Sequence, residues 1–156
     1  MRLLFWTAVV ISALTSGAAQ SATRQELRRD LSIDEASGGH TLSRHIGRTD
    51  AQLAERLRRE PGISAASTYT DRETAERAVG AAIANGGGML AAWEHRHGRR
   101  PNLVLHYVDR AGESVGRSLA RGQQHSVACD RAIVVLRWDE RTEHYYVLTS
   151  YPETAR

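Results

Sequence analysis

The sequence predicts an α+β domain with helices in its first half and an antiparallel sheet in its second. Three observations carry that prediction. Two helix-start signatures with apolar residues at helical spacing lie before residue 90. Short runs rich in Val, Leu, Ile and Tyr, separated by turn-forming clusters, follow. Elements segregated in this way, rather than alternating, indicate α+β and not a parallel α/β sheet.

In chain order, Met1-Arg2, the apolar run Leu3 to Leu14 and the small-residue exit through Gly17 and Ala19 read as a secretory signal peptide, residues 1–19. The run is too short to span a bilayer comfortably. Cleavage after Ala19 would leave Gln20 as the first residue of a secreted or periplasmic protein. Residues 20–30 form a lead-in and residues 31–156 one domain. No second long apolar run follows, so the mature form is expected to need no membrane. Thr23 to about Asp34 is charged and loosely amphipathic and reads as a short helix. Ser37-Gly38-Gly39 is a turn signal. Leu42 and Ile46, four apart, suggest a single helical turn ended by Gly47.

Thr49 with Gln52 fits a capping box for a helix that carries Leu53 and Leu57 and stops before Pro61-Gly62. Thr70-Asp71-Arg72-Glu73 reads as a second box, ahead of Ala75, Ala78, Val79, Ala82 and Ile83; Asn85 to Gly88 reads as its closing turn. Strands are expected at Met89–Trp93, Leu103–Val108, Ser114–Leu119, Ala132–Trp138 and His144–Ser150. The turns between them include Gly98 to Pro101, Arg110 to Glu113 and Asp139 to Thr142, several of hairpin type.

Composition narrows the chemistry. There is one cysteine, Cys129, so no intramolecular disulfide can form. Beside Asp130 it reads as an ordinary, partly buried thiol rather than a nucleophile. Every basic side chain is arginine, 21 against 18 acids. That excess is too mild to establish nucleic-acid binding. The lack of lysine excludes a P-loop and Schiff-base chemistry. None of the seven histidines has zinc-helix spacing, and His95-Arg96-His97 reads as solvated surface. The remaining residue types suit metal-free acid–base chemistry: histidine moves protons near neutral pH, arginine forks a phosphate, and hydroxyls donate to an oxyanion. RNA cleavage through the 2′-hydroxyl needs that set.

Gly38 to Thr49 followed by Gln52 to Leu57, then Ala66 to Asp71 with Thr74-Ala75-Glu76, then Tyr146 to Pro152, together resemble the bacterial RNase A-like toxin domain found at the C-termini of contact-dependent inhibition proteins and other polymorphic toxins. The likeness runs from about Leu31 to Pro152. It implies an RNase A-like fold without disulfides and an endoribonuclease that cleaves single-stranded RNA through a 2′,3′-cyclic phosphate, with no cofactor. It places the active site on His45 as acid–base residue, Arg56 as phosphate holder, and Thr149 and Tyr151 as oxyanion stabilisers, with Tyr151 also assisting proton transfer. Thr149 and Tyr151 are two apart, which sets both on one face of a strand. His40 competes with His45 and is kept as a secondary candidate. RNA is the implied substrate, a cognate immunity protein the implied partner, and a monomer the expected state. The alternative is a catalytically silent secreted RNA- or protein-binding module on the same fold.

Overall fold

The computed structural model describes residues 27–155, so the expected signal peptide and most of the lead-in lie outside the described residues. The helices are α1 (Leu31–Ala36), α2 (Thr41–His45), α3 (Asp50–Arg59), α4 (Arg72–Asn85) and α5 (Gly87–Glu94). The strands are β1 (Ala65–Tyr69), β2 (Leu103–Val108), β3 (Gly116–Ala120), β4 (Val127–Cys129), β5 (Arg131–Asp139) and β6 (His144–Glu153). They form two antiparallel three-stranded sheets, β1-β3-β4 and β2-β5-β6. The α+β class is as expected; the single meander is not. β2 pairs with β5 and β3 with β1, so Arg110 to Glu113 carries the chain between sheets instead of closing a hairpin.

Local chemistry accounts for the helix starts. The Thr49 side chain accepts from Gln52 N–H while the Gln52 side chain accepts from Thr49 N–H, the reciprocal box expected. At α4 the cap sits one residue later than expected: Asp71, not Thr70, accepts from Thr74 N–H at 2.7 Å. Met89–Trp93 is helical, not a strand. Gly86 ends α4 and also begins α5, so the glycines join two helices rather than helix to sheet. A short apolar run containing Ala91 and Ala92 has no period of its own, and alanine favours the helix. Trp93 is buried, its indole N–H donating to Pro101 O, with Trp138 edge-on at 5.8 Å.

The main core gathers Leu31, Tyr69, Val79, Leu105, Val134, Leu136 and Val147 from the first helix, α4 and both sheets. A second cluster, Leu53, Leu57, Ala66 and Leu119, seats α3 on the β1-β3-β4 sheet. Cys129 is buried, and burial pushes its thiol up to about 11, which leaves it inert as a nucleophile. Among the described residues no helix is long and apolar enough to cross a membrane.

A cleft between the second helix and the last strand

β6 lies at the margin of its sheet, and its outer edge would expose unpaired backbone groups. The segment α1–α2 covers that edge. Val147 N–H donates to Asp34 Oδ1 at 2.8 Å, His40 N–H to Leu148 O at 3.0 Å, and Ser150 N–H to Thr41 Oγ1 at 2.9 Å. Asp34 is buried, and the Arg29 guanidinium also donates to both its oxygens. Gly39 sits so close to the strand that a Cβ there would lie 2.4 Å from Val147 O. These contacts fix His40 and His45 beside the end of β6.

A bulge decides what β6 presents to them. Leu136 pairs with Val147 but Val135 pairs with Thr149, so Leu148 is the extra residue. Val147 faces the core; after the bulge Ser150 and Pro152 do. Unbroken alternation from Val147 would have buried Thr149 and Tyr151. The bulge turns both away from the core, a known use of this irregularity. Their shared face is as expected from the sequence; which face it would be was not readable.

The second helix is held by Glu35, whose carboxylate accepts from Leu42 N–H and Ser43 N–H. Beyond it Ile46 bridges to Tyr69, and Arg48 N–H donates to Thr68 Oγ1. His45, at the C-terminal end of α2, is only 5% exposed. Its Nδ1 lies 3.1 Å from Ser67 O. A carbonyl can only accept, so Nδ1 carries the proton and Nε2 keeps its lone pair. Burial pushes the His45 pKa down from 6.5 to about 4; the Ser67 bond opposes this, while Arg56, His40 and Arg44 reinforce it. The ring is therefore neutral at physiological pH. His40 is also lowered, by burial first and then by Arg44, with Glu35 acting in the opposite sense.

Arg56 projects from α3, and Glu60 one turn on accepts from its Nε at 3.3 Å. Its Nη1 is buried with no hydrogen-bond partner, and so is Thr149 Oγ1. Unsatisfied buried donors are rare and costly, roughly 1–3 kcal/mol each. The Tyr151 ring lies 5.5 Å from that of His45. His40, His45, Arg56, Thr149 and Tyr151, the full set singled out in the sequence, line one cleft of about 490 Å³. Ser67, Ser118, Ile133 and Glu153 are among the other residues of its walls. The role of the Ser67 carbonyl leaves no trace in sequence, since it belongs to the backbone. The Arg56–Glu60 pair did leave one, its spacing of four on a helix. His95 and His97 are exposed, as expected, but on the loop after α5 rather than in a hairpin. Among the described residues no three His, Cys, Asp or Glu side chains gather as a cation site.

A profile of the bacterial CdiA-CT RNAse A domain matches residues 39–152. The crystal structure of a CdiA-CT/CdiI complex from Y. kristensenii 33638 contains a chain that superposes with a TM-score of 0.64 at 27% identity, covering 74% of this chain and 99% of that one. No curated protein sequence matches.

Proposed function

Because the chain belongs to the bacterial CdiA-CT RNase A domain family, a family of ribonuclease toxins, we propose that it is an endoribonuclease that cleaves single-stranded RNA by metal-independent transesterification. The observation that carries this reading is the pairing of a neutral, buried His45 with two unpartnered buried donors, Arg56 Nη1 and Thr149 Oγ1, in one cleft. His45 Nε2 takes the proton of the 2′-hydroxyl. The 2′-oxygen attacks phosphorus as the bond to the 5′-oxygen of the next nucleotide breaks, leaving a 2′,3′-cyclic phosphate. Arg56 and Thr149 donate to the non-bridging oxygens as charge gathers there. Tyr151, whose ring lies 5.5 Å from that of His45, and His40 are the groups in the cleft that can return a proton to the leaving oxygen. The phosphodiester also satisfies the two orphaned donors, so binding recovers part of what their isolation costs.

Cleavage of a short single-stranded RNA by the purified chain, in strong chelator, tests this. Products ending in a cyclic phosphate, identified by mass spectrometry, are expected. Absence of cleavage, or loss in chelator restored by zinc or manganese, overturns it. We also propose export through residues 1–19, so N-terminal sequencing of exported protein should begin at Gln20; a soluble product retaining Met1 contradicts that. The similar chain was solved with its CdiI partner, which supports a cognate immunity protein here, one that would act by closing the cleft.

A further inference from the structure

Beside the cleft lies a second groove of about 510 Å³, whose charged lining is Arg44, Arg48, Arg56 and Arg59 with Glu55 and Glu60. Arg56 lines both, so the two hollows share a wall. Its charges are not balanced. Arg58 and Arg59 pair with Glu55, and Arg56 with Glu60. The Arg48 side chain donates to the Ser43 carbonyl, and the exposed Arg44 side chain makes no hydrogen bond or ion pair with any described residue. Two guanidinium groups thus face this groove without a carboxylate. The Arg44 charge reaches the cleft, where it acts on both His40 and His45.

We propose that this groove is a phosphate-binding subsite for the RNA strand next to the cleavage point, with Arg44 and Arg48 holding phosphates that do not react. The proposal rests on the ribonuclease reading and adds a substrate class to it, a strand of several nucleotides rather than a dinucleotide. A strand with its scissile phosphate on Arg56 must leave the cleft, and the adjoining hollow is the one with spare positive charge. Guanidinium forks suit phosphate oxygens, and phosphate contacts add affinity without reading bases. A concave groove beside the cleft, with two arginines to spare over its carboxylates, fits a polyanionic strand better than a flat acidic protein face.

Kinetics on two substrates decide it: a dinucleoside phosphate and a single-stranded RNA of about ten nucleotides. The variants are Arg44→Gln, whose side chain holds nothing in the fold, and Arg44→Gln with Arg48→Gln. On the dinucleotide both variants should stay within about twofold of wild type. On the longer RNA, KM should rise about five- to tenfold for the double variant with kcat little changed. The slope of log KM against log salt should become shallower by about 0.7 for each contact removed. Equal performance on the longer RNA overturns the proposal, as does an equal loss on both substrates. If wild type cleaves neither RNA, the ribonuclease reading fails on its own. The groove is then judged by fluorescence anisotropy with an uncleavable 2′-deoxy decamer, where unchanged affinity of Arg44→Gln rejects the subsite. Variants that bind and cleave the longer RNA normally but lose an acidic protein partner assign the groove to that partner instead, which also rejects it.

Discussion

Replacing His45 by alanine removes the one buried ring whose tautomer is fixed by a carbonyl and whose remaining nitrogen can act as a base. RNA cleavage should drop about 10²- to 10⁴-fold, with circular dichroism unchanged, while His97→Ala, on its exposed loop, should cleave as wild type. A dead His40→Ala beside an active His45→Ala would exchange the roles of the two histidines. The pH profile is a second check. A base must be unprotonated to work, and burial holds His45 down at about 4. The acid limb of kcat/KM in the free protein should therefore lie near pH 4, not near the ordinary 6.5 of histidine. A limb at 6.5 would mean that the working base is elsewhere. That His45, Arg56, Thr149 and Tyr151 belong together was legible in the sequence only through the resemblance to the toxin family; the fold gathers the four in one cleft. The low proton affinity of His45 was not legible, because it comes from burial that tertiary packing creates.

The cover over the edge of β6 and the bulge within it are properties of elements. Thr41→Val keeps the shape of the side chain but leaves Ser150 N–H without its acceptor, in a buried place. A loss of roughly 1–3 kcal/mol is expected in denaturant unfolding. Asp34→Ala should cost more, about 3–5 kcal/mol, because it strands the Arg29 charge and the Val147 N–H together. A Thr41→Val protein of wild-type stability would show that α1–α2 is not anchored through Ser150. Deleting Leu148 tests the bulge: Val147 and Ser150 then stand two apart, so regular alternation keeps both on the core side and Thr149 and Tyr151 in the cleft, and cleavage should survive; its loss in a folded variant would show that the bulge itself shapes the site. The helices α3 and α4 were readable because caps and apolar spacing are local signals. β1 and β4 went unpredicted, and α5 was taken for a strand. The burial of Ser67 and Thr68 in β1 depends on pairing with Ser118 and Arg117, some fifty residues away. No window of sequence contains that partner.

For the whole molecule, the same buried histidine links folding to acidity. The unfolded chain takes up a proton at His45 near pH 6.5, whereas the folded chain refuses it until about 4. Stability from this residue is intact above pH 6.5 and is lost as pH falls through that window, by about 2 kcal/mol at pH 5. Unfolding measured at pH 7.5 and pH 5 should show a smaller decline for His45→Gln than for wild type. An identical decline would mean that the histidine is hydrated in the native state. The solitary, buried Cys129 has a different consequence at this scale. No covalent cross-link has to form for the chain to reach its native state. Dithiothreitol should leave the melting temperature unchanged, and refolding from denaturant should proceed equally well with or without an oxidant. A protein built this way can be threaded as an unfolded chain into a glutathione-rich cytosol and still recover its shape there, whereas a disulfide-dependent secreted nuclease would lose it.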